Sequence, residues 1–217
     1  MTPYYEDDFV TLYHGDCRDL LPSIEADVVV TDPPYGMAWD GRISSGPNTT
    51  GIPGFRAKNY GQTIVGDDIP FDPEPWLTYP EVVLWGSNHY AAQLPLGTTL
   101  VWVKKLDGAF GTFLSDAEVA WAKGGHGVYC FRETDYRYGP RDHPNRKPVS
   151  LMAWCIKRTS GETILDPFAG SGTTLVAAKS LNRKAIGIEI EERYCEIAAT
   201  RLRQEVLGLD TGVVSST

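Results

Sequence analysis

Short runs rich in Val, Ile, Leu, Thr and Trp recur along the whole chain, at residues 10–14, 27–31, 81–85, 98–104, 118–122, from 163, and at 185–190. Runs of this length and composition predict strands. Apolar positions with helical spacing separate several of them, at residues 19–24, 148–154, 175–179 and 191–206. Strands alternating with helices imply an α/β protein with a mostly parallel sheet and helices on both faces. Residues 36–75 break the pattern: Gly46-Pro47-Asn48-Thr49-Thr50-Gly51-Ile52-Pro53-Gly54 cannot hold regular structure. A loop this long in a compact domain is usually functional or disordered, and it follows a strand end where it could close over a substrate. Residues 123–142 also read as loop. There is no internal repeat and no coiled-coil spacing, so a single domain over residues 1–217 is expected.

Two strand ends carry chemistry. After Val28-Val29-Val30 comes Thr31-Asp32-Pro33-Pro34-Tyr35-Gly36. Neither proline can donate to a ladder, so the strand stops abruptly in a rigid ledge. On it the Asp32 carboxylate and the Pro33 carbonyl are placed to accept from one amino group, and Tyr35 offers a flat face to a planar ring. A nucleobase with an exocyclic amine fits. Asp and Pro also make ordinary turns, and that reading stays open on this motif alone.

The second end is Thr163-Ile-Leu-Asp-Pro-Phe-Ala-Gly-Ser-Gly-Thr-Thr174, leading into a helix-forming stretch. Gly170 and Gly172 permit a tight bend and a close backbone approach, and the helix N-terminus behind them presents free N–H groups. A nucleotide-like ligand is expected. Leu175 stands where the dinucleotide fingerprint wants its third glycine, and no Gly-Lys-Ser/Thr follows, which argues against nicotinamide, flavin and P-loop phosphate sites. Glu189, seventeen residues beyond Gly172 at the end of the next strand, stands where such folds place the carboxylate that grips ribose hydroxyls.

Composition narrows the class. Four cysteines, Cys17, Cys130, Cys155 and Cys195, have no paired spacing, and the four histidines fit no ligand pattern, so a reduced, metal-free protein is expected. The first residues lack a basic and apolar leader and no run is long enough to span a membrane, which predicts a cytoplasmic location. The net charge of −8 looks wrong for a nucleic-acid partner, but it is segregated: residues 1–40 hold nine acids and one base, residues 123–158 eight bases and three acids. The basic segment, with Arg132, Arg137 and Arg141 among Tyr129, Phe131, Tyr136 and Tyr138, suits a surface that contacts phosphates and stacks bases. Arg42, Arg56 and Lys58 of the long loop would face the same polynucleotide. Binding should be modest and salt-sensitive.

Asp-Pro-Pro-Tyr together with Asp-Pro-Phe-Ala-Gly-Ser-Gly resembles the amino-methyltransferases of DNA, and their order along the chain is that of the β group. Weaker matches are Gly15-Asp16, Val83-Leu84-Trp85-Gly86-Ser87-Asn88 and His143-Pro144-Asn145-Arg146-Lys147-Pro148. The resemblance implies a Rossmann-like, S-adenosylmethionine-dependent methyltransferase fold in circularly permuted order, with the two termini on one side of the sheet. It implies catalysis at Asp32, Pro33, Pro34 and Tyr35. It implies cofactor contacts from Asp16, Asn145, Lys147, Asp166, Phe168, Gly170, Ser171, Gly172, Thr173 and Glu189, although asparagine at 145 departs from the commoner threonine. The substrate would be DNA, with the base rotated out of the stack. Aspartate at position 32 favours adenine N6; cytosine N4 enzymes more often carry serine, and both amines need the same two acceptors. Protein glutamine is disfavoured, because those relatives present asparagine there, whereas RNA stays open. A non-catalytic cofactor-binding subunit would be free to lose these residues, and all are intact. Only residues 123–142 and the 36–75 loop remain to recognise sequence. A homodimer and a restriction partner are left open.

Overall fold

The computed structural model describes residues 2–37, 65–112, 115–133 and 147–204. Its strands are β1 (Tyr5–Glu6), β2 (Val10–His14), β3 (Val28–Thr31), β4 (Glu81–Trp85), β5 (Gly97–Val103), β6 (Ala117–Arg132), β7 (Thr163–Asp166) and β8 (Lys184–Glu189). The helices are α1 (Cys17–Leu20), α2 (Val149–Ile156), α3 (Thr173–Ser180) and α4 (Glu192–Arg203). They form one sheet in the order β1-β2-β8-β7-β3-β4-β6-β5.

The five strands from β2 to β4 are parallel. Parallel strands are covered on both faces and therefore read as continuous apolar runs, as Val28-Val29-Val30 does, with all three side chains buried. Alternate residues serve two cores. Val28 and Val30 join Leu151, Met152 and Ile156 of α2, Leu175 and Ala178 of α3, and Ala198 and Leu202 of α4. Val29 faces the other way, toward Phe71, Trp76, Leu84, Tyr90 and Cys17 of α1. Among the described residues the second face is thus covered by a one-turn helix and 3-10 turns rich in aromatics rather than by long helices.

The β2–β8 pairing, from Val10↔Ala185 to His14↔Glu189, joins the start of the chain to its end, as a permuted order requires. Lys179 Nζ lies 2.5 Å from Asp7 Oδ2, and the Arg203 guanidinium sits over the Tyr5 ring, 5.6 Å from its centroid. From the central pair the chain departs in opposite directions, β7 to β8 and β3 to β4. Such a divergence opens a crevice at the carboxyl edge of the sheet, where open α/β folds bind ligands.

Residues 123–132, expected as loop, are strand. β6 meets β5 twice, antiparallel through Thr98↔Ala122 and Thr99↔Trp121, then parallel through Leu100↔Tyr129 to Val103↔Arg132. Gly124 and Gly125, with φ of 82° and 64°, turn the chain beneath the start of β5 between the two passes. Glycine is disfavoured in strands, so the pair Gly124-Gly125 reads as a turn and masks the continuation of β6. The first helix also begins earlier than its spacing suggests. Asp16 caps it through the Arg18 amide, and Pro22 follows inside the 3-10 turn Leu21–Ser23.

Candidate active site

The carboxyl ends of β2, β8, β7, β3, β4 and β5 share one edge, and the predicted site residues fall along it in that order. β3 and β7 pair through Val28↔Ile164 and Val29↔Leu165. Just beyond this register the Thr31 hydroxyl donates to Asp166 Oδ1 at 2.7 Å, bridging the ledge to the glycine turn. The Phe168 amide donates to the same oxygen at 3.2 Å. Burial pushes the Asp166 carboxyl up to about 6, while the Thr174 and Thr31 hydroxyls and the Phe168 amide pull it back.

On the ledge both Asp32 oxygens are engaged. Oδ1 accepts from the Tyr35 hydroxyl, and Oδ2 accepts from Lys147 Nζ at 2.5 Å. Lys147 is 6% exposed and reaches a second carboxylate, Glu118 Oε2 on β6, at 3.0 Å. Glu118 Oε1 in turn holds Lys104 Nζ at 2.7 Å, just past the end of β5. Two acids and two bases alternate along one line. Burial alone would drive Lys147 toward neutrality, but the charges of Asp32 and Glu118 outweigh it and hold the ammonium up at about 12. Burial would likewise raise Glu118, and Lys147 and Lys104 bring it down to about 2. Lys147 also lies 5.5 Å from the Trp85 ring centroid, a cation–π distance.

Tyr35 is wedged. Its ring stacks on His89 at 4.8 Å between centroids and 8° between planes. Gly86, with φ of 71°, passes so close that a Cβ there would lie 2.0 Å from Tyr35 Cε1. Burial raises the Tyr35 hydroxyl well above its usual value, and the Asp32 charge adds to this. Behind the ledge, buried Asp67 accepts from three successive amides, Tyr35, Gly36 and Met37, at 3.1, 3.0 and 3.2 Å. Those amides have no ladder to enter, so one carboxylate oxygen satisfies them.

On the neighbouring side Glu189 takes the Gly170 amide on Oε2 at 2.7 Å and the Glu191 amide on Oε1 at 2.8 Å. Burial raises its carboxyl. Gly172 adopts φ of 78° as the residue before α3, but its missing Cβ makes room for α4: an added one would lie 2.8 Å from Ala198 Cβ. Arg201 Nη1 donates to the Ser171 carbonyl at 2.5 Å, and lies 3.2 Å from both the Ser171 and Thr173 hydroxyls. The third glycine of the dinucleotide pattern has a counterpart across the interface. Leu175 packs where a Cβ on Gly187 of β8 would come within 2.5 Å of its Cδ1. Phe168 presents its ring edgewise to Phe71 and Trp76. Asp16 lies next to Glu189 through the Gly15 amide to Glu189 carbonyl bond of 2.9 Å, and its carboxylate pairs with Arg18 at 2.5 Å.

Of the predicted residues, Asp16, Asp32, Pro33, Pro34, Tyr35, Asp166, Phe168, Gly170, Ser171, Gly172, Thr173 and Glu189 gather along this edge. Lys147 joins the ledge through Asp32. Arg132 pairs with Val103 at the same edge, exposed and bound to Asp107. Asn145, Arg42, Arg56, Lys58, Arg137 and Arg141 lie outside the described residues. Sequence reasoning missed Glu118, Lys104, Asp67 and His89. An acid inside a strand run was the one available signal, at Glu118. Among the described residues no group of three or more His, Cys, Asp or Glu gathers to hold a metal, and no helix is long and apolar enough to cross a membrane.

A DNA methylase family profile for N6 and N4 amino-methyltransferases matches residues 101–200. The Type II methyltransferase M.ScaI of Streptomyces caespitosus is 28% identical over 95% of this chain and 86% of its own length. M2.LlaDCHI of Lactococcus lactis subsp. cremoris is 28% identical over 93% and 92%. The chain is similar to the DNA amino-methyltransferases over its second half and, at lower identity, over nearly its whole length. Among solved members of similar fold, the M1.HpyAVI–SAM complex superposes with a TM-score of 0.59 at 21% identity, covering 88% of this chain and 99% of that one. The cytosine-N4-specific PvuII DNA methyltransferase gives 0.61 at 18%, covering 94% and 90%. Asp32-Pro33-Pro34-Tyr35 precedes the Gly170–Gly172 turn along the chain, the order that the resemblance to the β group implies.

Proposed function

We propose that this chain transfers the methyl group of S-adenosylmethionine to the N6 amine of adenine in DNA. The observation that carries the reading is the Thr31–Asp166 bridge of 2.7 Å, which holds the acceptor ledge and the glycine turn side by side. The cofactor fits the residues at the turn. Each Glu189 oxygen spends one lone pair on a backbone amide, leaving capacity for ribose hydroxyls. Asp16, just past the end of the neighbouring strand β2, would meet the adenine amine, and Phe168 and Gly170 the methionine end.

When bound, the cofactor supplies a methyl carbon activated by a sulfonium. The exocyclic amine is conjugated with its ring and weakly nucleophilic. Asp32 and the Pro33 carbonyl, each accepting one N–H, localise the lone pair and stabilise the positive charge that develops on nitrogen. With the donor held by Glu189, Phe168 and Gly170, Asp32 would take up the surplus proton of the amine along its hydrogen bond and pass it toward water. Alignment of the reacting atoms can supply roughly 7–11 kcal/mol of the barrier. Tyr35 holds the rotated base, and Arg132 with the basic residues around it meets the phosphates. Aspartate at position 32 supports adenine.

The test is to incubate the protein with unmodified DNA and methyl donor, digest to nucleosides and identify the product by mass spectrometry. N6-methyladenine is expected. N4-methylcytosine alone would correct the base, and neither product, with donor shown to bind, would favour the non-catalytic subunit.

A further inference from the structure

The ledge poses an electrostatic problem. Asp32 is asked to accept from an amine that becomes positive, yet a cation already sits 2.5 Å from it. Lys147 is buried and cannot retreat into water, since an unpaired ammonium in such a place is very costly. A second anion lies within its reach: Glu118 Oε2 is 3.0 Å from the same Nζ. Glu118 is itself fixed from behind by Lys104 at 2.7 Å. The two acids therefore share one movable proton donor, and the four charges balance whichever acid holds it.

We propose that Glu118 is a positioning residue that takes Lys147 over when the target amine displaces it from Asp32. In the empty site Lys147 keeps Asp32 ionised and aimed, with the Tyr35 hydroxyl on its other oxygen. As the base enters, its N–H takes Oδ2 and the ammonium swings onto Glu118. Asp32 thus stays paired and oriented until the base arrives. This places Lys147 with the target base rather than with the cofactor.

The inference rests on the proposed methyl transfer, and its test separates the two. Glu118→Gln leaves Lys147 with Asp32 alone, so the cation holds on more tightly. The expected result is a fall in kcat of about tenfold or more, the worth of one charge-assisted hydrogen bond, with the S-adenosylmethionine Kd from calorimetry changed by less than about twofold. Glu118→Asp, which keeps the charge, should recover most of the rate. Combining Glu118→Gln with Lys147→Gln removes the competing cation, and the pair should be faster than Glu118→Gln alone. Thermal melts establish folding. Should Glu118→Gln not fold by itself, the charge-free pair carries the test, and a rate about a hundredfold below wild type overturns the exchange. A pair no faster than the single variant, or a Lys147→Gln protein whose donor affinity collapses, also overturns it. Asp32→Ala is measured beside them: loss there with an unchanged Glu118→Gln rejects the exchange alone, and retained activity there rejects the reading of the site with it.

Discussion

The two halves of the carboxyl edge satisfy their polar groups by opposite means. On the β8–β7 side, Glu189 and Asp166 are held by backbone amides and hydroxyls, mostly from residues close in sequence. On the β3–β6 side, Asp32, Lys147, Glu118 and Lys104 hold one another, across separations as long as 115 residues. A fixed amide cradle suits a ligand that binds in one pose. A chain of exchangeable charges suits a site that must give up one partner to receive another.

The largest effect that would break this contrast is expected at Asp32. Asp32→Ala should lower turnover by about two to three orders of magnitude, the scale of losing one preorganised transition-state partner. Single-turnover kinetics at saturating donor check it, and near wild-type turnover would show that the ledge does not act on the amine. Next comes Asp67→Ala, which leaves the amides of Tyr35, Gly36 and Met37 without this acceptor. At about 1–3 kcal/mol for a buried orphan donor, the change should destabilise by at least about 3 kcal/mol in denaturant melts. Turnover should fall with it, because the ledge loses its backing.

The cradle side is sharpened by pH. The Asp166 carboxyl titrates at about 6 in the fold against 3.8 in the unfolded chain, so the folded state binds the proton more tightly. Its contribution therefore favours folding at low pH and is lost as pH rises from about 4 to about 6, up to about 3 kcal/mol. Asp166→Asn should be more stable than wild type at neutral pH, with the gain vanishing below about pH 4. A constant difference across that range would contradict the burial argument. Glu118 has the opposite sign: its carboxylate, held near 2, contributes stability above about 4.5 that disappears as pH falls toward 2. The smallest effect is expected at Arg132. Its ion pair with Asp107 is solvent-exposed, so Arg132→Ala should barely change stability while weakening DNA binding and flattening its salt dependence.

The same contrast explains what was legible in the sequence. The cradle could be read because its parts are local: Gly170, Gly172 and the acid at 189 follow one another across a single strand–turn–helix–strand unit. The central strands were legible because parallel pairing buries both faces and leaves unbroken apolar runs such as Val28-Val29-Val30. The charge chain was not, since nothing in the periodicity of β6 says which distant lysine Glu118 will meet. Gly172 was legible as a special conformation but not as the contact surface for Ala198, because close helix packing leaves no local signature. His89 gave no signal either; its stack on Tyr35 depends on the turn that Gly86 makes after β4.

The central claim is that the Asp32 ledge and the glycine turn serve one reaction. The most direct measurement is a crystal structure with S-adenosylmethionine and DNA bound. The account predicts a target amine hydrogen-bonded to Asp32 and the Pro33 carbonyl, its nitrogen about 3–3.5 Å from the sulfonium methyl carbon. A donor seated away from Glu189 and Gly170, or a methyl carbon facing away from Asp32, would contradict it.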